Sequence, residues 1–309
     1  MTDPTYDIRD PRFRGLIHTS ARLERIITGL RWAEGPVWFP AAGMLLVSDI
    51  PNNRILRWTE DGQWGVFRAP SDYTNGNTRD REGRLISCQH GTRSVVRTEA
   101  DGTLTVLASH HGGERLNSPN DVVVRSDGSV WFTDPSYGIL SDYEGYRAPE
   151  AQAARRVYRV GPEGGEPAAV CEGFVQPNGL AFSPDETRLY VAESGSSHDP
   201  DVPPVIRVFP VTGTGLGAGR DFARLDSGLP DGLRVDAAGN VWSSAGDGVH
   251  VFAPDGTMLG RIAVPETVAN LCFGGARGNR LFIAATTSVY SVFVDARAAG
   301  WPGHRRGMG

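Results

Sequence analysis

The stretch NGLAFSPDETRLYVAE, which runs from Asn178 to Glu193, decides the fold because it is one of six similar units in the chain. Each unit starts at a polar residue, enters a short run of strand-forming residues, turns, and enters a second such run. A third run usually follows, so each unit predicts a small antiparallel sheet. The six units begin EGPVWFPAA (Glu34), NGNTRDREG (Asn75), NDVVVRSDG (Asn120), NGLAFSPDE (Asn178), DGLRVDAAG (Asp231) and NLCFGGARG (Asn270).

The spacing of the units is typical of propeller blades. Their starts lie 41, 45, 58, 53 and 39 residues apart, and a four-stranded blade takes about 40–50 residues. The two long intervals contain insertions at Ser136–Arg155 and Ser194–Pro204. We therefore predict an all-β, six-bladed β-propeller. A β-sandwich followed by a second domain is the alternative, but no linker divides the chain.

The ends of the chain predict how the ring closes. Leu23–Leu30 reads as a strand before the first unit, and Ser288–Asp295 ends the last unit. Sharing one sheet between the two ends closes a ring of blades, so we expect the N-terminal strand to complete the sixth blade. Residues 1–22 are then an N-terminal extension, residues 23–298 the propeller, and residues 299–309 a C-terminal tail.

Composition and charge narrow the class of partner. The net charge is −5 and basic residues do not cluster beyond a short tail at His304–Arg306, which argues against nucleic acid. No apolar run is long enough for a membrane span, and the N-terminus lacks the apolar core of a signal peptide. Three widely spaced cysteines without a CxxC pair predict free thiols in a reducing compartment, hence a cytoplasmic protein: Cys88, Cys171 and Cys272.

The first residue of every unit carries a side-chain oxygen. Innermost strands line the axis of a propeller, so these six residues are expected to form a ring around the tunnel. Oxygen donors favour a calcium- or magnesium-type ion, and the ring lacks the imidazole and thiolate that zinc and copper prefer. Turn formation is the alternative, because Asn and Asp often precede Gly in turns. Glu34 is a poor turn former, however, and Asn120 and Asn270 are not followed by Gly. We favour the metal site.

Four blocks in this order resemble a known family. They are AEGPVW, LNSPNDVVV with WFTDPSYG, QPNGLAFS and DGLRVD. They are similar to blocks of the senescence-marker-protein, gluconolactonase and luciferin-regenerating-enzyme family, and the resemblance extends from about Leu23 onward. The sequence TDPSYG favours the microbial gluconolactonases within this family. The resemblance implies a six-bladed propeller with one divalent metal, commonly Ca²⁺, that hydrolyses lactones or, in related branches, organophosphates.

The resemblance also implies roles for individual residues. Glu34, Asn178 and Asp231 match metal-binding residues of the family. Asn120 matches a residue that ligates the metal or holds substrate beside it, and Asp121 is expected near the substrate.

Substrate recognition departs from one branch of the family. The senescence-marker branch has an arginine two residues before its Asn-Asp pair, and Ser118 occupies that position here, so the nearest arginine is Arg115. Arg115 and Tyr137 are the further residues that we expect at the substrate. Tyr137, Tyr143 and Tyr146 belong to the first insertion and are expected to wall the pocket, unless they serve only to pack the loop.

Lactone opening needs a polarised carbonyl and an activated water, which a bound divalent cation and a nearby base supply. We expect Asp231 to be the general base, with direct nucleophilic attack by Asp231 as the alternative. No GxSxG motif is present, and His90 borders the tunnel mouth or serves only structure.

The predicted function is therefore opening of a sugar δ-lactone to its aldonic acid. The expected cofactor is Ca²⁺, with Mg²⁺, Mn²⁺ or Zn²⁺ as alternatives. A phosphotriesterase on the same metal site and a non-catalytic binding platform remain alternative functions.

Overall fold

The computed structural model describes residues 6–300 and has the predicted architecture: six small antiparallel sheets arranged as a six-bladed β-propeller. The N-terminal residues form β1 (Tyr6–Ile8), a 3-10 helix (Pro11–Gly15) and β2 (Glu24–Thr28). Blade one contains β3 (Ala33–Phe39), β4 (Met44–Asp49), β5 (Arg54–Thr59) and β6 (Trp64–Arg68), with a 3-10 turn at Ile50–Asn52. Blade two contains β7 (Thr74–Arg79), β8 (Leu85–Gln89), β9 (Ser94–Thr98) and β10 (Leu104–Ala108).

The remaining blades follow in chain order. A short hairpin of β11 (His110–His111) and β12 (Glu114–Arg115) precedes blade three. Blade three contains β13 (Val122–Val124), β14 (Val130–Asp134), β15 (Arg156–Val160) and β16 (Ala168–Cys171), with the helix α1 (Tyr137–Leu140) in its insertion. Blade four contains β17 (Pro177–Phe182), β18 (Arg188–Glu193), β19 (Val205–Thr212), β20 (Gly215–Leu216) and β21 (Arg220–Arg224), with a 3-10 turn at Gly195–Ser197. Blade five contains β22 (Leu233–Val235), β23 (Val241–Ala245), β24 (Gly248–Phe252) and β25 (Met258–Ala263). Blade six contains β26 (Val268–Gly274), β27 (Arg280–Ala285) and β28 (Ser288–Phe293).

Ring closure occurs as predicted. Strand β2 pairs antiparallel with β28, with Glu24 opposite Ser291 and Thr28 opposite Ser288. The N-terminal strand thus becomes the outer strand of blade six. Residues before it also pack on the ring, because β1 pairs with β25 and Phe13 is fully buried between blades five and six. The predicted basic tail at His304–Arg306 lies outside the described residues.

The hydrophobic core is divided into six clusters, each lying between two neighbouring blades. Between blades six and one, for example, Ile27, Leu45, Val47 and Phe282 are buried together. Alternating residues of the strands face the adjacent blade, which is why nearly continuous apolar stretches such as β27 are buried on both faces. No helix among residues 6–300 has the length and apolar character needed to cross a bilayer.

Neighbouring innermost strands are in direct backbone contact near the start of the repeated units. The amide of Gly179 donates to the backbone carbonyl of Asp231 in the next blade (3.0 Å), and the amide of Gly76 donates in the same way to Asn120 (2.8 Å). A Cβ atom on Gly179 would lie 2.2 Å from the Asp231 carbonyl oxygen, and one on Gly76 would lie 2.3 Å from that of Asn120. Glycine is therefore required at both positions by contact between blades.

Gly179→Ala should destabilise the protein, because the methyl group cannot be placed without separating blades four and five. We expect the free energy of unfolding to fall by about 1–3 kcal/mol, as for an overpacked core. Gly65→Ala is the matched control, since Gly65 is also in a strand but has no atom within 4 Å of the place that an alanine methyl group would occupy. Its effect should be neutral or stabilising by up to about 1 kcal/mol. Equal losses in denaturant unfolding of the two variants would contradict this account.

Candidate active site

A cavity of about 340 Å³, the upper cavity, opens at the end of the tunnel where the innermost strands begin. It is lined by the first residues of the repeated units, by the insertion of blade three, and by the connections of blades four to six. The lining residues are Trp32, Glu34, Asn75, Asn120, Tyr137, Glu144, Asn178, Ser197, Gly228, Leu229, Asp231, Gly246, Thr267 and Val268. The structure therefore brings five of the six predicted ring residues to one cavity.

The sixth ring residue, Asn270, stands behind Glu34. Its Nδ2 donates to Oε2 of Glu34 (2.9 Å), and its Oδ1 accepts from the amide of Leu271 (2.8 Å). The same Oε2 atom accepts from the amide of Gly35 (2.7 Å). These bonds engage one carboxylate oxygen of Glu34 and leave Oε1 without a hydrogen bond from residues 6–300. Glu34 is held by the protein on one side and has a free oxygen at the cavity.

The two carboxylates of the ring oppose each other's ionisation. Burial raises the pKa of Asp231 well above its usual range, and the negative charge of Glu34 raises it further, while Asn178 partly offsets both effects. Burial likewise raises the pKa of Glu34 to about 8. Two carboxylates that share a desolvated site favour either a bound proton or a cation.

Asn75 presents a buried oxygen that lacks a partner. Its Oδ1 accepts no hydrogen bond from residues 6–300, although buried amide oxygens are normally satisfied. The other end of the carboxamide is fixed, because Nδ2 lies 3.3 Å from Nε2 of His90. His90 in turn places Nδ1 2.9 Å from the carbonyl oxygen of Glu144. Burial lowers the pKa of His90 to about 4, so the neutral ring donates from Nδ1 and accepts from Asn75.

The donor set of the cavity fits a hard divalent cation. It consists of the two ring carboxylates, Glu34 and Asp231, and the carboxamides of Asn75, Asn120 and Asn178. The same wall carries a third carboxylate, Glu144, from the insertion of blade three. Oδ1 of Asn75 is buried without a partner among the described residues, and Oε1 of Glu34 accepts no hydrogen bond from them. Residues 6–300 hold no cluster of three His, Cys, Asp or Glu side chains placed for a metal, so a cation here would depend on the carboxamide oxygens as well. Such oxygen ligands suit Ca²⁺ or Mg²⁺.

The insertion of blade three covers one side of the cavity. Tyr137 lines it and is positioned by a 2.9 Å hydrogen bond to Oγ of Ser197. Tyr143 and Tyr146 do not line it: both are exposed, and Tyr146 packs edge-on against Tyr73. The insertion contributes Glu144 instead, a residue that the sequence did not single out. Burial raises the pKa of Glu144 to about 7.

Two further predicted substrate residues lie elsewhere. Asp121 is buried behind the ring, where its carboxylate accepts from the amide of Val122 and pairs with Arg234 (3.3 Å). Arg115 is exposed, and its guanidinium donates to the carbonyl of Thr92 (2.6 Å). Neither residue is part of the wall of the upper cavity.

Comparison with known proteins finds a matching family model and similar lactonases. Residues 32–287 match the family model described as SMP-30/Gluconolactonase/LRE-like region. A gluconolactonase of Zymomonas mobilis is 34% identical over 91% of this chain and 84% of its own length. The pentonolactonase XacC of Haloferax volcanii is 30% identical over 83% of this chain and 82% of its own length. Among solved structures, a gluconolactonase of Xanthomonas campestris is 38% identical, with a TM-score of 0.88 over 94% of this chain and 95% of that one.

The raised carboxyl pKa values predict a pH-dependent stability in the presence of a chelator. Between the ordinary glutamate pKa of 4.5 and about 8, folded Glu34 keeps a proton that the unfolded chain has released. The free energy of unfolding should therefore fall as pH rises through this window, by up to about 1.4 kcal/mol per pH unit for each proton. Glu34→Gln should flatten the slope, and saturating Ca²⁺ should flatten it in the unmodified protein.

Glu60→Gln serves as the matched control, because Glu60 is exposed on blade one. It should keep the slope of the unmodified protein in urea unfolding measured from pH 5 to pH 8. A slope unchanged by Glu34→Gln would show that Glu34 is ionised in the folded protein without a cation.

Proposed function

Because the chain belongs to the SMP-30/Gluconolactonase/LRE-like family, we propose that it is a divalent-metal-dependent lactonase that opens a sugar δ-lactone to the aldonic acid. The observation that carries the proposal is the cavity wall, where the carboxylates of Glu34, Asp231 and Glu144 line one cavity with three carboxamides. The gluconolactonases of Zymomonas and Xanthomonas, at 34% and 38% identity, support lactones as the substrate class. Cavity volumes of this order suit a molecule of sugar size.

We assign the metal ligands to Glu34, Asn178 and Asp231, with Asn120 as a fourth ligand or a substrate contact. Ca²⁺ is the favoured ion because the donors are oxygen atoms from carboxylates and carboxamides. A bound ion of this kind supplies Lewis-acid polarisation of the lactone carbonyl and acidifies water. Asn270 and His90 act behind the wall, where they orient Glu34 and Asn75 through their hydrogen bonds.

Asp231 is the proposed general base. A bound cation would offset the negative charge of the site and keep Asp231 ionised despite its burial. The Asp231 carboxylate would then take a proton from water while the water oxygen bonds to the carbonyl carbon of the lactone. The bond between that carbon and the ring oxygen then breaks, and the ring oxygen leaves as the alcohol after accepting a proton. Glu144 is placed to give that proton, because it lines the same cavity and its raised pKa keeps part of it protonated near neutral pH.

Tyr137 would restrict the cavity rather than react. Its hydroxyl is hydrogen-bonded to Ser197, and the residue forms part of the wall. It therefore offers a substrate an aromatic surface with a hydroxyl group at its edge. Arg115 is exposed and does not line the cavity, so we propose it as a contact only for a substrate that extends out of the cavity.

The proposed activity is tested by hydrolysis of glucono-δ-lactone, followed as acid release at constant pH and corrected for spontaneous opening. We expect turnover that a chelator abolishes and that Ca²⁺ restores. Turnover of a phosphotriester under the same conditions should be slower. Faster phosphotriester hydrolysis would favour the alternative chemistry on the same site, and metal-independent lactone hydrolysis would contradict the proposed role of the metal.

Asp231→Asn tests the mechanism at saturating metal concentration. The substitution keeps the size and one oxygen but removes the basicity, so kcat should fall by about two to four orders of magnitude. Asp255→Asn, in an exposed turn of blade five, is the matched control and should keep the rate of the unmodified protein. A metal-loaded Asp231→Asn protein with an unchanged kcat would mean that another group activates the water, and Glu144 would be the next residue to change.

A further inference from the structure

A second cavity, the lower cavity, has a volume of about 410 Å³ and opens at the opposite end of the tunnel. Most of its lining residues lie two to six positions after the ring residues, along or just beyond the same innermost strands, and residues 298–300 complete the wall. The two cavities therefore lie at opposite ends of those strands. Its lining combines apolar side chains with three arginines. The residues are Pro36, Val37, Trp38, Asn77, Thr78, Arg79, Asp80, Arg81, Val124, Arg234, Val235, Cys272, Phe273, Ala298, Ala299 and Gly300.

The acidic residue of the lower cavity does not neutralise the arginines. Both carboxylate oxygens of Asp80 are used by the neighbouring turn and by Arg84, which donates from its backbone amide and from Nε (2.6 Å). Arg81 donates to Glu186 of blade four and to the carbonyl of Arg125, in the turn after β13 of blade three.

Of the three arginines that line the lower cavity, Arg79 lacks a partner among residues 6–300. It lies on β7, is half-buried, and makes no side-chain hydrogen bond or ion pair with any part of residues 6–300. Burial lowers the pKa of its guanidinium, which is the electrostatic cost of a desolvated charge without a counterion. A partly desolvated guanidinium without a counterion would be stabilised by an anion bound beside it.

Arg234 provides a second donor group in the same cavity. One of its terminal nitrogens, Nη1, donates to Asp121 and to its own neighbour's carbonyl, at Leu233. Nε and Nη2 have no hydrogen-bond partner among the described residues. A guanidinium fork with free N–H groups matches the oxygens of a carboxylate or phosphate group.

We propose that the lower cavity is a binding site for a small organic anion, held by its carboxylate or phosphate group between Arg79 and Arg234. The cavity is larger than a bare oxyanion, and Val37, Val124 and Phe273 contribute apolar side chains beside the polar ones. The ligand class is therefore a small acid or phosphate ester with a carbon body. This site is separate from the proposed catalytic cavity and does not depend on the lactonase assignment.

The site is tested by isothermal titration of the full chain, saturated with Ca²⁺, with two probes, propionate and ethyl phosphate. We expect one equivalent of at least one probe to bind. Binding of propionate alone would assign the site to carboxylic acids, and binding of ethyl phosphate alone would assign it to phosphate esters. Arg79→Gln should weaken binding by about tenfold or more, because a charge-assisted hydrogen bond is lost. Arg79→Lys, which keeps the charge, should retain part of it.

Two controls locate the binding. Arg57→Gln removes an exposed arginine on blade one and should bind as the unmodified protein does. Glu34→Gln alters only the upper cavity and should also retain binding. The proposal is overturned if neither probe binds below about 10 mM, since such affinity would be weaker than that of ordinary small-ligand sites. It is equally overturned if Arg79→Gln binds normally, or if Glu34→Gln alone loses binding.

A stability measurement separates loss of the site from loss of the fold. Without added anion, Arg79→Gln should unfold at a temperature no lower than the unmodified protein, because it removes an unpaired charge. Added ethyl phosphate or propionate should raise the unfolding temperature of the unmodified protein and leave that of Arg79→Gln unchanged. Equal stabilisation of both proteins would place the anion elsewhere and reject the proposal.

Discussion

Direct backbone contact between neighbouring blades is the constraint on which the upper cavity depends. Where Gly179 meets Asp231 and Gly76 meets Asn120, the donor amide of one blade is bonded to the carbonyl of the polar residue that opens the next blade. The position of each polar side chain is thereby fixed by its neighbour and not by its own blade alone. Strand β2 is required for the same reason, because an open ring could not hold blades six and one against each other.

Much of the fold and part of the site follow from the sequence, and the limits have physical causes. The period of the six units predicts the blades because strand and turn preferences are local. The ring positions predict the cavity wall because equivalent residues of a repeat occupy equivalent places. Asn270 departs from that rule: its amide lies close enough to Glu34 to be a hydrogen-bond donor and is therefore withdrawn from the wall. Whether a ring residue lines the cavity or supports a neighbour from behind is decided by the contact between blades, which the repeat pattern does not reveal.

Residues outside the repeat could not be placed by such reasoning. The insertion of blade three has no equivalent in the other blades, so its acidic residues looked alike in sequence, and only the folded loop brings Glu144 to the cavity. His90 holds that loop, because Gly138 and Gly145 pack against it: a Cβ on Gly138 would lie 2.3 Å from Cγ of His90. The free oxygen of Asn75 depends on the same histidine, since it is the neutral ring that accepts from Nδ2. The position of the blade-three insertion and the hydrogen bonding of Asn75 therefore both depend on His90.

The charge along the tunnel changes from negative at the upper cavity to positive at the lower cavity. The upper cavity is acidic, Asp121 below it pairs with Arg234, and Arg234 borders the lower cavity with Arg79. The charge of Asp121 raises the pKa of both Glu34 and Asp231, in each case after the larger effect of burial. A cation above would therefore be attracted by Asp121 as well as by its ligands, and an anion below would be attracted by Arg234. In a desolvated tunnel, each of these attractions is stronger than it would be in water. With a cation above and an anion below, the ion pair between Asp121 and Arg234 would have a charge of opposite sign beside each of its members. Replacing the pair by apolar side chains of similar volume could leave the fold intact, as for many buried ion pairs. It would, however, remove the group through which the two ends of the tunnel share one electrostatic field.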